Sequence, residues 1–212
     1  GGATASSQYE GGYDLDGKGL DTQDCRPYLK RTSDATTATR LLTRDVIDEA
    51  KKCQGIGNYP FRKGSDGYHH IDEDIALLKE LGIDIYRFSI SWARLYPQGD
   101  ELEPNKEGIA FYDHIFKEVH KAGMKIFLTM NHYAVPLYLV ENYGGWTNRK
   151  LVIFYERFAR TVFEHWGQYI DYFLPFNEIN AGYFSPYNGV GLVKEKDKYY
   201  NQSLVFQSLH HQ

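Results

Sequence analysis

From Tyr68 to the end of the chain, apolar residues alternate between helical spacing and short continuous runs. The helical spacing predicts three helices. The first has Ile71, Ile75, Leu78 and Leu81 on its apolar face and stops at Gly82, and the second has Ile109, Tyr112, Ile115, Phe116 and Val119 and stops at Gly123. The third has Leu151, Phe154, Phe158 and Val162 on one face and a cap at Thr147 or Asn148. The continuous runs predict buried strands at residues 83–90, 125–130 and 172–175, and a last helix is predicted over 199–212.

This alternation of strand and helix is typical of parallel strands joined by right-handed crossovers. If residues 2–7 form a first strand, the chain holds four strand–helix units. Four such units fit half of an eight-stranded barrel or part of a doubly wound sheet. A complete barrel needs about 250 residues, and the sequence stops at Gln212 inside a helical pattern. We therefore expect the first half of a larger protein.

A long polar segment, residues 21–67, separates the first predicted strand from the regular part of the chain. It includes a low-complexity run between Ser33 and Thr39 and a helical pattern at residues 43–52. Because it is longer than ordinary connections, we predict a functional loop.

The C-terminal end of each predicted strand carries polar side chains. They are Gln8, Arg87, Ser89, Asn131, His132, Asn177 and Glu178. The carboxyl ends of parallel strands share one edge, where active sites lie in both α/β arrangements. Glu178 is the most informative, because burying an unpaired carboxylate is costly and this one must face a cleft, find a partner or stay protonated. A carboxylate beside the amide of Asn177 suits a general acid next to a polyol substrate. The alternative is a strand that simply ends in polar loop residues.

Composition excludes several classes of protein. The net charge is −4 and no basic stripe is present, so we expect no nucleic-acid partner. No apolar run is long enough to span a bilayer, so we expect no membrane partner either. Cys25 and Cys53 lack metal-site spacing and are expected to be free thiols in a reducing cytoplasm. Aromatic residues make up 16% of the chain and suit the walls of a sugar site, although most tyrosines only pack.

Four segments, in order, resemble the strand motifs of glycoside hydrolase family 1, the retaining β-glycosidases. They are GATASSQYEG at residues 2–11, YRFSISWARLYP at 86–97, NHY at 131–133 with PL at 136–137 and YGGW at 143–146, and FNEIN at 176–180. The resemblance covers nearly the whole chain. It implies a (β/α)8 TIM barrel of which residues 1–212 supply about the first four β/α units, as the N-terminal half of a single domain.

The resemblance also implies roles for individual residues. Glu178 would be the acid/base that protonates the leaving oxygen and then deprotonates water, and Asn177 would bind the 2-hydroxyl. Gln8 and His132 would hold other hydroxyls of the sugar. Arg87 would lie beneath the nucleophile and keep it ionised. Taken alone, Arg87 would be read as part of a structural ion pair and His132 as a satisfied loop histidine.

The family's nucleophile lies in a strand-end Glu-Asn-Gly motif, which this sequence does not contain. The only acids after Glu178 are Glu195 and Asp197, in a charged turn at residues 194–198. We therefore expect these 212 residues to be inactive by themselves. Ala134 and Pro175 also depart from the family pattern, at positions that usually hold an acid and a threonine, and could loosen the sugar pocket and alter the aim of Glu178.

Ile179 after the acid, and His210-His211-Gln212, resemble the phospho-glycosidase branch. That branch implies hydrolysis of 6-phospho-β-glucosides in a bacterial cytoplasm, with a small carbohydrate as partner and no cofactor or metal. A plain β-glucosidase and a 6-phospho-β-galactosidase remain alternatives within enzymes. A non-catalytic half-barrel that binds sugar or acts as a scaffold is the alternative of another class. Half a barrel exposes two sheet edges, so a homo-oligomer that covers them is a further expectation.

Overall fold

The computed structural model describes residues 1–30, 42–193 and 202–212. At its centre is a parallel sheet whose strand order, β1-β2-β3-β4, is also the order along the chain. The strands are β1 (Gly2–Ala3), β2 (Ile85–Ser89), β3 (Lys125–Asn131) and β4 (Ile170–Phe176). A doubly wound sheet reverses its strand order at a switch point, whereas this order runs in one direction, as in a barrel.

Helices connect the strands. They are α1 (Ser6–Tyr9), α2 (Arg44–Lys52), α3 (Gly67–Glu80), α4 (Trp92–Leu95), α5 (Lys106–Lys121), α6 (Leu137–Tyr143), α7 (Lys150–Trp166), α8 (Ala181–Phe184), α9 (Pro186–Val190) and α10 (Gln202–His211), with 3₁₀ turns at Pro60–Arg62, Gly145–Thr147 and Gly167–Tyr169. The three long crossover helices α3, α5 and α7 confirm the three predicted from helical spacing.

The long helices cover one face of the sheet, and alternation along the strands decides which side chains meet them. Phe88 and Leu128 are buried in the main core, where the Phe88 ring packs edge-on against Phe116 of α5 at 5.2 Å. Arg87 and Phe127 alternate with them and lie on the face away from the helices. The polar face of β2 is therefore kept clear of the hydrophobic core.

Helix ends differ in detail from the prediction. Leu81 was expected on the buried face of α3, but the helix ends at Glu80 and Leu81 is 75% exposed. Helix α7 begins after Arg149, yet the predicted cap Asn148 still accepts a hydrogen bond from the Lys150 amide at 3.0 Å. The last helix starts at Gln202, and the first residues of its predicted range lie outside the described residues.

The first strand is shorter than predicted. Residues 2–7 were expected to be extended, but β1 ends at Ala3 and the chain turns into α1. The reason is a side-chain contact, because the Ser6 amide donates to Ser89 Oγ at 2.7 Å instead of continuing the ladder. Gln8 therefore lies in a short helix above the strand rather than at the strand end.

Strand β4 is not the buried strand that its apolar sequence predicted. Tyr172 and Phe173 are each about half exposed. The cause is position, because among the described strands β4 pairs only with β3 and forms one edge of the sheet. An edge strand is also one of the few places in a sheet where a proline such as Pro175 is tolerated.

The segment at residues 21–67 folds into more than a polar loop. Its helix α2 confirms the helical pattern at residues 43–52, and Cys25, Ile47 and Ala50 help to form a second small core. Arg62 is buried and donates to the carbonyl oxygens of Asp24, Ala50, Cys53 and Gly55 at 2.6–3.1 Å. The low-complexity run lies outside the described residues.

Both cysteines are free thiols, as predicted. Across residues 1–30, 42–193 and 202–212, no helix combines the length and the apolar character that crossing a membrane requires.

Candidate active site

The carboxyl ends of β3 and β4 meet at one edge of the sheet. The register pairs Asn131 with Phe176, and the Asn177 amide donates to the Asn131 carbonyl oxygen at 2.9 Å. The ladder thus continues one residue past β4 and fixes where Asn177 and Glu178 leave the sheet. His132 leaves β3 at the same level, so three of the predicted site residues lie together.

Arg87 connects the three strands from the open face of the sheet. Its Nε donates to Thr129 Oγ1 at 2.9 Å, and its Nη2 donates to Asn177 Oδ1 at 2.7 Å. Its guanidinium lies 5.7 Å from the centre of the Phe127 ring. No carboxylate among the described residues forms an ion pair with Arg87, so the reading of Arg87 as part of a structural ion pair is not supported there. A fixed cation in this position favours an anion beside it.

The contact with Arg87 also fixes the orientation of Asn177. Because the oxygen of its amide accepts from the guanidinium, its NH2 group must face the other way. An amide held in this way presents a hydrogen-bond donor to the edge of the sheet, where a hydroxyl oxygen could accept it.

Glu178 lies exposed at the edge and is not packed against the helices. Its φ is 45°, in the left-handed region, and its carbonyl accepts the Ala181 amide at 2.7 Å in the turn that follows. Its Oε2 accepts a hydrogen bond from the hydroxyl of Tyr133. Among the described residues Tyr133 is thus the hydrogen-bond partner of the carboxylate, whose other side is open to a ligand.

His132 is a neutral side chain at the same edge. The pKa of His132 is lowered to about 4, mainly by burial and also by the nearby positive charge of Arg87, while Glu178 acts in the opposite direction. Near neutral pH the imidazole is therefore uncharged and can both donate to and accept from hydroxyl groups. Its ring packs edge-on against Tyr133 at 4.9 Å.

Gln8 is the one predicted site residue that the structure does not join to the others. It is exposed in α1. Helix α1 lies at the same end of the sheet, since the Thr4 amide just before it donates to the Arg87 carbonyl oxygen at 2.9 Å. No hydrogen bond from its side chain to His132, Asn177 or Glu178 is seen in the described part of the chain.

Helix α1 is held in place by a buried charge pair just beyond Gln8. Glu10 accepts from Arg94 Nε at 3.2 Å and from the Tyr112 hydroxyl at 2.6 Å. The Arg94 side chain is fully buried and also donates to the Gly11 carbonyl oxygen at 3.0 Å. The segment that carries Gln8 is thus attached to α4 and α5.

Two residues of the site were missed as functional candidates from the sequence. Thr129 precedes Asn131 by two positions on the same face of β3, and this alternation could have revealed it. Tyr133 stood in the quoted NHY segment, but its contact with Glu178 depends on how two loops approach each other, which no spacing in the sequence encodes.

Among the described residues no group of three histidine, cysteine, aspartate or glutamate side chains is placed to hold a metal ion. The site contains a carboxylate, a fixed amide, a neutral imidazole and a guanidinium that has no ion-pair partner within the described ranges. Such a set can exchange a proton and bind hydroxyl groups.

A one-directional parallel sheet with this set at its carboxyl edge is the arrangement expected of a barrel whose site uses carboxylate chemistry. The chain belongs to glycosyl hydrolase family 1, whose sequence profile matches residues 1–212. The fold is that of part of a (β/α)8 barrel.

Individual relatives agree with this assignment. The chain is 43% identical to a phospho-cellobiase of Klebsiella oxytoca and 42% identical to the 6-phospho-beta-glucosidase AscB of Escherichia coli, with all of this chain and 41% and 43% of those proteins covered. Among solved structures, the virulence factor SghA of Agrobacterium tumefaciens superposes with a TM-score of 0.76 at 28% identity, covering all of this chain and 41% of that one. The chain thus spans about two fifths of the length of these relatives.

Proposed function

We propose that residues 1–212 form part of a single (β/α)8 barrel and supply the acid/base side of a retaining β-glycosidase site that acts on 6-phospho-β-glucosides. The observation that carries this proposal is Glu178 at the edge of the sheet, beside an Asn177 amide that Arg87 holds in one orientation. The names of the two relatives above support a phosphorylated substrate.

Glu178 would protonate the glycosidic oxygen as the bond to the sugar breaks, and would then take a proton from the attacking water. The NH2 group of Asn177 would donate to the 2-hydroxyl of the sugar, a contact that strengthens as positive charge develops on the ring. His132 and Gln8 would bind other hydroxyls, which the neutral state of His132 allows.

The reaction also needs a nucleophilic carboxylate about 5 Å from the acid. Arg87 would stabilise its ionised form, since no carboxylate within the described residues already neutralises the guanidinium. The sequence contains no Glu-Asn-Gly motif, so the nucleophile would come from residues beyond these 212. We therefore expect no hydrolysis by the 212-residue chain alone, and the tests below use the complete polypeptide that carries it.

Substrates of this class enter bacterial cells already phosphorylated, so we propose a cytoplasmic site of action and a β-glucoside 6-phosphate as the partner. The test compares nitrophenyl β-glucoside with nitrophenyl β-glucoside 6-phosphate. We expect a higher kcat/KM for the phosphorylated substrate. Faster turnover of the unphosphorylated substrate would contradict the preference for a 6-phosphate and would leave a plain β-glucosidase as the proposed function.

The role of Glu178 is tested by Glu178→Gln in the same polypeptide. General acid–base catalysis contributes roughly 10²–10⁴-fold, so we expect a loss of that size with nitrophenyl substrates. Added azide should restore turnover and give a β-glycosyl azide, because a small anion can replace the water that Glu178 activates. Undiminished activity of Glu178→Gln would contradict the proposal and favour a sugar-binding or scaffold protein.

A further inference from the structure

The hydroxyl of Tyr133 lies between the two residues to which the proposed function assigns the acid/base step and the 2-hydroxyl contact. We propose that Tyr133 is a positioning residue that holds the carboxylate of Glu178 in the orientation from which it protonates the leaving group. This inference rests on the proposed function, because it assigns to Tyr133 an effect exerted only through Glu178.

The first argument is the row of hydrogen-bonding groups that crosses the edge of the sheet and ends at Glu178. Arg87 donates to Thr129 and to the oxygen of Asn177. The Tyr133 hydroxyl lies near Asn177 and donates to Glu178 Oε2. Arg87 and Asn177 are thus fixed on one side of the Tyr133 hydroxyl, and the exposed carboxylate of Glu178 is bonded on the other.

The second argument is the contrast between the two partners. Glu178 is exposed and has three rotatable side-chain bonds, so by itself its carboxylate would sample several rotamers. The Tyr133 ring is half-buried, and the edge-on contact with His132 restrains it. A hydrogen bond to a restrained phenol removes rotamers of the glutamate that point away from the sugar.

The backbone of Tyr133 is restrained as well. Its φ is 71°, and its carbonyl oxygen accepts from Thr22 Oγ1 at 3.4 Å. Thr22 also exchanges hydrogen bonds with Val135, donating from its amide at 3.0 Å and accepting at its Oγ1 at 3.2 Å. Hydrogen bonds from the segment at residues 21–67 therefore fix the position of the loop after β3.

The hydroxyl of Tyr133 also remains a donor under assay conditions. Burial raises the pKa of Tyr133 above its ordinary value of 10, and the hydrogen bond and charge of Glu178 raise it further, although Asn177 and Arg87 act in the opposite direction. A phenol that stays protonated can donate to the Oε2 atom of Glu178 throughout the pH range in which a glycosidase is measured.

The test is Tyr133→Phe in the complete polypeptide, which keeps the ring and removes only the hydroxyl. Acid catalysis matters more as the leaving group becomes a worse one. We therefore expect kcat/KM to fall about tenfold for phenyl β-glucoside 6-phosphate, the size expected for losing one hydrogen bond to a charged group. With the dinitrophenyl substrate, which departs without protonation, the loss should stay below about twofold. Tyr138→Phe, five residues further on in α6, is the matched control and should behave as the wild type with both substrates.

A double-mutant cycle separates positioning from a general structural effect. If Tyr133 acts through Glu178, then Tyr133→Phe should change nothing further in a Glu178→Ala background. Equal losses with both leaving groups, or additive losses in the cycle, would overturn the positioning role.

The proposed function has a different failure. If Glu178→Ala itself shows no dependence on the leaving group, both proposals are wrong. If Glu178→Ala shows that dependence and Tyr133→Phe does not, only the inference about Tyr133 is wrong.

Discussion

Two residues at the edge of the site, Tyr133 and Glu178, are non-glycine residues in the left-handed region, with φ of 71° and 45°. A side chain in that region costs roughly 1–2 kcal/mol, because Cβ approaches the following carbonyl oxygen. Such strain persists where the surrounding structure imposes it, and it concentrates at functional sites. Here it turns the chain sharply after β3 and β4, so that both side chains meet above the ends of the strands.

The strain at Glu178 predicts an order of stability. Both Glu178→Ala and Glu178→Gly remove the carboxylate and its bond to Tyr133, but only alanine keeps the Cβ. Because glycine adopts positive φ without that penalty, we expect Glu178→Gly to be about 1 kcal/mol more stable than Glu178→Ala. Urea unfolding of the two variants measures the difference. A glycine variant that is the less stable one would show that this backbone is unstrained.

His132 predicts a dependence of stability on pH. Burial lowers its pKa from 6.5 to about 4, so between these values the unfolded chain binds a proton that the folded chain does not. The free energy of unfolding should therefore fall as pH drops from about 6.5 towards 4, with a slope of at most about 1.4 kcal/mol per pH unit and less after solvent screening of this partly exposed ring.

The measurement is chemical unfolding of the wild type and of His132→Asn, which carries no titrating ring. The difference between the two should be flat above pH 6.5 and should change only below it. A difference that is constant through this range would contradict the neutral state assigned to His132.

At the scale of elements, the spacing of apolar residues correctly predicted those helices and strands that local sequence determines. Helix α5 was found from its apolar stripe because that stripe is also the buried face, with Tyr112, Phe116 and Val119 fully buried. The exposure of β4 was not predicted, because its apolar sequence is the same whether the strand is internal or at an edge. The early end of β1 depends on a bond between Ser6 and Ser89, which are 83 positions apart.

For the candidate site, the sequence predicted which residues lie together but not how their side chains contact one another. Arg87, His132, Asn177 and Glu178 were found because they lie at or just after the ends of strands that share one edge, and because they belong to motifs that resemble the family's. The hydrogen bond from Arg87 to Asn177 and the contact of Tyr133 with Glu178 were not predicted, since both depend on side-chain geometry between separate strands and loops. The catalytic and binding roles of Gln8, Arg87, His132, Asn177 and Glu178 stay predictions.

The charge pair that attaches α1 to the rest of the fold gives a prediction about this element. Arg94→Met would leave the Glu10 carboxylate buried with the Tyr112 hydroxyl as its main partner. Breaking a buried pair on one side costs about 3–5 kcal/mol. We expect a loss of that size in the free energy of unfolding, with partial recovery when Glu10→Gln is added.

Arg160→Met is the matched control, because Arg160 pairs with Glu156 on the surface with both side chains about two thirds exposed. Its loss should stay within about 1 kcal/mol. Equal effects of the two methionine substitutions in thermal or urea unfolding would contradict a special role of the buried pair.

At the scale of the whole molecule, the described part of the sheet has two edges, formed by β1 and β4. Strand β4 presents Tyr172 and Phe173 half exposed, beside Phe163 of α7, which is 40% exposed. A sheet edge with exposed aromatic residues is a template for pairing with another chain.

We therefore predict that the 212-residue chain, studied alone, self-associates through β4. Light scattering should give a mass above that of one chain, and Tyr172→Lys should lower it, because a charge on an edge strand opposes pairing. Leu102→Lys, at a site 78% exposed away from the sheet, should leave the mass unchanged. A wild-type chain that scatters as a monomer would remove the prediction.

The strand order has a consequence for synthesis on the ribosome. Each strand after β1 pairs with the strand made just before it, so its partner has already been synthesised when it emerges. The sheet can grow in step with translation, and each new edge is covered by the next strand to leave the exit tunnel. Pausing just after β4 would prolong the exposure of its aromatic edge, which makes this the stage of synthesis at which a chaperone would matter most.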